Sequence, residues 1–104
     1  MELYYTFYRA GRGTRQPREY LFYIPDLDFV FVAHKTAFTG DTFLKFIYDE
    51  ARLQKVRDDI SKGNYKKIEI PDSIVSQIKS LGEQYQSARS SLNPLVEELF
   101  KALG

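Results

Sequence analysis

The sequence predicts one small α+β domain, in which a three-stranded antiparallel meander precedes a helix, a short strand and two further helices. The chain has 104 residues, which suits a single domain. Thirteen of its 16 Tyr and Phe residues occur at or before residue 48, in short runs typical of strands. The C-terminal half instead spaces its apolar residues at three and four, as amphipathic helices do. The predicted order is therefore βββαβαα.

Three segments have strand character: residues 3–9, 19–24 and 29–34. Gly11, Gly13 and Pro17 mark the first connection as a loop, and Pro25-Asp26-Leu27-Asp28 marks the second as a turn. Short connections favour antiparallel pairing of consecutive strands. The segment 29–34 is apolar on both faces, so we expect it to be the central strand, covered on both sides.

The first helix is predicted to begin near Asp41 or Thr42, after Gly40, and to end at Gly63-Asn64. Its apolar stripe comprises Phe43, Phe46, Ile47, Leu53, Val56 and Ile60. Residues 65–70 alternate as a short strand at a sheet edge or in a dimer interface. The second helix opens at Pro71-Asp72, and its apolar face comprises Ile74, Ile78, Leu81, Tyr85 and Ala88. Asn93-Pro94 opens the last helix.

Composition excludes several classes of protein. The absence of cysteine excludes disulfides and thiolate metal sites. No apolar run is long enough to span a membrane, and the N-terminus lacks the features of a signal peptide. We therefore expect a cytoplasmic protein, in the host cytoplasm if a virus or phage encodes it, with no cofactor. Frequent Tyr, Ile, Lys and Glu without Cys or Trp also favour a thermophilic source.

The main functional signal is a cluster of arginines around the first loop. Arg9, Arg12, Arg15 and Arg18 lie within ten residues that contain no acid, and the rest of the chain has 11 basic against 14 acidic residues. Guanidinium groups bind phosphate or carboxylate through paired hydrogen bonds, and a basic arm can follow a phosphate backbone. The alternative is a hairpin tip whose charge only keeps it hydrated.

Tyrosines on the predicted sheet form a second candidate surface. If helices cover only one face, Tyr4, Tyr8 and Tyr23 lie on the other, where they would seal a dimer or stack on bases. The alternative is that these rings pack under helices and direct their hydroxyls to water.

No residue pattern predicts catalysis or metal binding. His34 is the single histidine, and Lys35 and Asp41 near it complete no known triad. Asp26 and Asp28 lack the further ligands that a cation site needs. The adjacent pairs Asp58-Asp59 and Glu97-Glu98 point in different directions on helices. The sequence therefore indicates no enzyme, no metal and no small-molecule substrate.

The last third of the chain resembles a ribbon-helix-helix DNA-binding unit. The resemblance rests on Tyr65-Lys-Lys-Ile-Glu-Ile-Pro71-Asp72, a helix, a turn with Ser87, Arg89, Ser90 and Ser91, and a second helix. It implies that two chains pair these strands and that Tyr65, Lys67 and Glu69 enter the major groove. An ordinary strand with two core helices explains the same pattern.

These observations favour a small non-enzymatic binding protein, a homodimer, that engages an anionic partner through the hairpin loop. The partner is either nucleic acid or an acidic protein surface. The alternative is a protein-interaction module of regulator or inhibitor type that uses the aromatic sheet face.

Overall fold

The computed structural model describes residues 1–10, 18–35, 42–84, 87–89 and 93–103. Within these residues the chain forms six strands and three helices around one sheet. The elements are β1 (Glu2–Ala10), β2 (Arg18–Ile24), β3 (Phe29–Lys35), β4 (Thr42–Ile47), α1 (Glu50–Ser61), β5 (Lys66–Glu69), α2 (Asp72–Gln84), β6 (Ser87–Arg89) and α3 (Asn93–Leu103). The α+β class and the coarse order of elements are confirmed, but the sheet has more strands than the three of the predicted meander.

The strand order is β5-β1-β2-β3-β4-β6, and all neighbours are antiparallel. The predicted meander of the first three strands is confirmed. Its third strand, β3, lies between β2 and β4, and its first five residues are all buried. A strand buried on both faces needs apolar residues at every position, as residues 29–33 provide.

The first helix was predicted to begin too early. Residues 42–47 form β4, which pairs with β3 and places Phe46 opposite Phe31. Spacing of three and four between Phe43, Phe46 and Ile47 resembles a helical stripe, but pairing with a buried strand determines the conformation of this aromatic segment. The helix α1 instead begins at Glu50, where the Asp49 side chain accepts a hydrogen bond from the Ala51 amide.

Helices cover both faces of the sheet and form two cores. On one face α2 and α3 pack Val75, Ile78, Val96 and Leu99 against strand residues that include Phe22 and Phe31. On the other face α1 packs Leu53 and Val56 against Leu21, Val30, Val32 and Ile47. We call this second side the α1 face. None of the helices within the described residues is long and apolar enough to cross a membrane.

The C-terminal half follows the predicted order with one addition. Gly63 has a φ of +79°, as a C-terminal helix cap requires, and β5 lies at the sheet edge as predicted. Ala88 was predicted to continue the second helix, but it lies in β6 and pairs with Leu44. Tyr85, from the same predicted stripe, lies outside the described residues. The last helix begins at Asn93, as predicted.

Candidate functional site

The β1–β2 hairpin carries the four predicted arginines. Its strands are paired as far as Ala10 and Arg18, with Arg9 opposite Glu19. The backbones of Arg9 and Arg18 therefore lie at the end of the sheet, whereas Arg12 and Arg15 lie outside the described residues. The pair Ala10 and Arg18 is therefore the last described pair of the two strands before the loop.

A groove lies on the α1 face, between the beginning of α1 and the strand residues nearest the hairpin. Its volume is about 580 Å³. Apolar residues of the sheet, which include Val32 and Ile47, contribute to its lining, and the remaining lining is aromatic and charged. The lining residues are Tyr8, Glu19, Val32, Phe43, Lys45, Phe46, Ile47, Tyr48, Asp49 and Arg52. We call this site the basic groove, for the reason given below.

Both carboxylates of the basic groove are engaged by groups of the protein itself. Asp49 caps α1 through the Ala51 amide at 3.2 Å. A Glu19 Oε1 atom lies 3.0 Å from Nδ1 of His34, which faces it across the β2–β3 pair. These contacts reduce the negative potential that either carboxylate presents to a ligand.

The two cations of the basic groove, Lys45 and Arg52, are not paired with an acid of the described residues. The Arg52 Nη2 atom donates a hydrogen bond of 2.7 Å to the Tyr8 hydroxyl. A guanidinium group has five N–H donors, so most of them stay available to an anion.

A second pocket of about 360 Å³ adjoins the basic groove at Tyr8 and Arg52. It lies between α1 and the outer part of β1, and Thr6 and Tyr65 contribute to its wall. Burial, with a smaller effect of the Asp59 charge, raises the pKa of Tyr65 to about 12. The hydroxyl of Tyr65 is therefore neutral at physiological pH, and Lys55 in the same pocket pairs with Asp59 at 3.7 Å.

The three candidate interface tyrosines all point to the α1 face, but their surroundings differ. Tyr23 is half-buried against the second core, and its hydroxyl donates to Asp28 at 2.5 Å. The Lys67 ammonium lies 5.6 Å from the centre of the Tyr4 ring. Tyr8 is 42% exposed and borders both pockets. The face is therefore partly covered by α1, and Tyr8 is the most accessible of the three.

The turn residue Asp28 has a structural partner. It accepts hydrogen bonds from Arg57 Nε at 2.9 Å and from Tyr23, and Arg57 also pairs with Glu50 at 2.8 Å. These bonds from Arg57 and Tyr23 hold the pKa of the Asp28 carboxyl below its usual value. The network ties the β2–β3 turn to α1.

The other acid–base candidates are dispersed. His34 contacts Glu19, fifteen residues earlier, whereas Lys35 pairs with Glu97 at 2.5 Å. Asp41 lies outside the described residues. No group of three or more metal-ligating side chains occurs in the part of the chain that the structure describes.

The strand of the ribbon-helix-helix resemblance has a different setting here. β5 pairs with β1 of its own chain, with Lys67 opposite Tyr4 and Glu69 opposite Glu2. Tyr65 is half-buried against the second core. The turn between the two helices contributes β6 at the opposite end of the sheet. The helices that follow β5 therefore cover a sheet rather than form a separate unit.

Sequence reasoning missed Glu19, Lys45 and Arg52. They come from β2, β4 and α1, and only the sheet register and the position of α1 bring them beside Tyr8. The one available signal was that Glu19 and Tyr8 flank the loop at similar distances, which antiparallel pairing places near each other. No comparable signal exists for Lys45, since its segment was assigned to a helix.

Comparison with known proteins adds no relative: no protein-family model, curated protein or solved structure matches the chain.

Proposed function

We propose that this protein is a non-enzymatic binding protein that engages an anionic macromolecule with the arginines of the β1–β2 hairpin and with the basic groove. The observation that carries the proposal is the pair of cations, Lys45 and Arg52, that line the groove without an acidic partner among the described residues. In the sequence, the arginine cluster lies directly between Tyr8 and Glu19, two residues that line the groove.

Charge distribution supports an anionic partner. The net charge is +1, yet outside the four hairpin arginines acids outnumber bases. Cations concentrated at one end of an otherwise acidic body orient an anionic partner and raise its local concentration. Surface cations elsewhere on the molecule are commonly paired, as Lys35 is with Glu97 and Lys79 with Glu83.

The test is a polarisation titration against duplex DNA, single-stranded DNA, RNA and an acidic peptide at two salt concentrations. Replacing Lys45 and Arg52 by Gln should weaken binding, and replacing Arg12 and Arg15 by Ala should do the same. If both residues of a pair contact phosphates, the log–log salt slope should fall by up to about two. Lys45 is exposed and Arg52 half-buried. Changes at exposed sites alter stability by about ±0.5 kcal/mol or less, so the melting temperature of each variant is measured beside its affinity.

A charge-matched control is the double variant Lys62→Gln with Lys101→Gln, because both residues are exposed and neither lines the basic groove. It should bind as wild type does. If the control and the groove variant lose equal affinity, the loss is explained by net charge alone and not by contacts in the groove. If wild type binds none of the four probes at low salt, the proposal is refuted.

A second candidate function is a protein-interaction module that uses aromatic surface. Two large side chains at the hairpin end of β1, Phe7 and Tyr8, are 51% and 42% exposed. Binding by aromatic burial would depend little on salt, whereas binding of phosphates weakens steeply.

The proposed binding unit is a homodimer. Within the described residues, β5 has a strand neighbour on one side only, and its four residues run Lys-Lys-Ile-Glu. In two-fold antiparallel pairing centred on Ile68, Lys67 faces Glu69 of a second copy, and both side chains lie on the same face of the joined sheet. Opposite charges directly across a strand pair stabilise that register.

A further inference from the structure

The outer half of β1 has an open edge. The strand β5 pairs with Glu2–Tyr5 of β1 and with no residue after Tyr5. In the part of the chain that the structure describes, β2 is therefore the single strand neighbour of residues 6–10. In an antiparallel pair, alternate residues direct both the N–H and the C=O group away from the partner strand. Among the described residues, the outward-directed N–H and C=O groups of residues 6–10 therefore have no strand partner.

This open edge has side-chain sites on both faces of the sheet. On the α1 face lies the pocket of about 360 Å³ to which Thr6, Tyr8 and Tyr65 contribute. On the opposite face the Phe7 and Tyr20 rings pack edge to face, with their centres 5.4 Å apart. The Tyr20 and Phe100 rings do the same, with their centres 5.5 Å apart. An added strand would direct alternate side chains to these two sites, since successive side chains point to opposite faces.

The geometry of the edge limits what can be added. The register between β1 and β2 shifts between Phe7 and Arg9, which marks a bulge. A bulge bends its strand and shortens the stretch available for regular pairing. The added strand is therefore a short extended segment and not a long strand at the edge of another sheet.

The charges around the edge select an acidic occupant. Arg52 faces the pocket beside Tyr8, and exposed Lys66 lies across from Tyr5, where β5 begins. Neither has an acidic partner within the described residues. A second copy of this edge would bring the same cations together, which disfavours self-pairing here.

We propose that the open edge of β1, residues 6–10, binds an extended acidic segment of another protein by β-strand addition. This inference rests on the proposed function and names its partner class. Backbone hydrogen bonds contribute affinity in such complexes, and the pockets for alternate side chains contribute specificity. Carboxylates of the segment would contact Arg52, and its apolar side chains would contact the exposed Phe7 ring.

The probe is a fluorescent nonapeptide of alternating Val and Glu, with Val and Lys as the charge-reversed control. Two further versions carry N-methyl groups on every Val or on every Glu, and each blocks one edge of the peptide strand. We expect the parent to bind and the Lys version not to bind. One methylated version should bind about tenfold or more weakly than the parent peptide, because it loses roughly two hydrogen bonds to β1. The other methylated version should keep the affinity of the parent.

Amide hydrogen exchange locates the contact. Alternate amides of 6–10 should gain protection with the Val–Glu peptide, while amides of Glu2–Tyr5, already beside β5, serve as the internal reference. Phe7→Thr should weaken binding, whereas Leu27→Thr, which removes an exposed apolar side chain from the distant β2–β3 turn, should not.

The outcomes separate this inference from the proposed function. If an oligonucleotide binds with the salt dependence of phosphate contacts while the peptide leaves 6–10 unprotected, strand addition is refuted and anion binding stands. Equal affinity of both methylated peptides also refutes strand addition. If neither peptide nor oligonucleotide binds, both proposals fail.

Discussion

Replacing Gly82 by Ala should destabilise the protein although alanine is the better helix former. Gly82 is buried in α2 beneath the aromatic cluster of the first core. A Cβ atom added there would lie 2.5 Å from Cζ of Phe29 and 3.1 Å from Cδ1 of Phe46. Carbon atoms in contact prefer about 3.5–4.0 Å, so the Phe29 ring would have to move by roughly 1 Å.

Neighbouring groups restrict that movement. Phe29 is buried, with Phe46 and Tyr48 at centroid distances of 5.8 and 6.2 Å and the Lys79 ammonium 4.7 Å from its ring centre. The helix is also held in place, because the Tyr48 hydroxyl donates to the Gly82 carbonyl. Overpacking of this kind costs about 1–3 kcal/mol. Alanine regains about 1 kcal/mol of helix propensity.

Because the shortest contact is far below van der Waals distance, we place the overpacking cost in the upper part of that range. The free energy of unfolding should then fall by about 1–2 kcal/mol, and Tm by roughly 5–10 °C for a domain of this size. Urea and thermal unfolding followed by circular dichroism measure both. Ser80→Ala, at an exposed site of the same helix, is the matched control and should match or slightly exceed wild type.

A double variant identifies the cause. Phe29→Leu removes the atom nearest the new methyl group, so Gly82→Ala should cost less in that background, with a coupling of about 0.5 kcal/mol or more. A Gly82→Ala protein as stable as Ser80→Ala would refute the packing argument. An equal loss with and without Phe29 would place the strain elsewhere in α2.

Three further predictions follow from the same structure. Phe31 is fully buried and stacks on Phe22 at 5.1 Å, so Phe31→Ala should cost about 3–5 kcal/mol in urea unfolding, and a variant melting within a few degrees of wild type would contradict its place in the core. Light scattering at micromolar concentration should give twice the 12.2 kDa mass of one chain, and a monomer throughout that range would refute pairing through β5. The lowered pKa of Asp28 means that its carboxylate stabilises the fold at neutral pH and loses that effect as pH falls below about 4 through the lowered pKa. Asp28→Asn should therefore be less stable than wild type at pH 7, with a smaller difference at pH 3, and a difference independent of pH would exclude the carboxylate charge as its source.

Much of the fold follows from local pattern. Continuous apolar character identified 29–34 as a strand covered on both faces, and the structure confirms it as β3. Gly63 and Asn93-Pro94 marked helix ends that the structure also confirms. The segment 42–47 was assigned wrongly, because three apolar residues at helical spacing in a six-residue segment also fit a buried strand. Its partner, β3, decides between the two.

The candidate site divides in the same way. The sequence alone determined the arginine cluster, the absence of thiol chemistry and the apolar strands, since these depend on residue type and local spacing. Tertiary structure decided that Lys45 and Arg52 share a groove with Tyr8, that Asp49 and Glu19 are engaged there, and that β5 leaves half of β1 open. Those features depend on strand register and on the path of α1 across the sheet. Both arise from long-range packing between segments, about which the local order of residues carries little information.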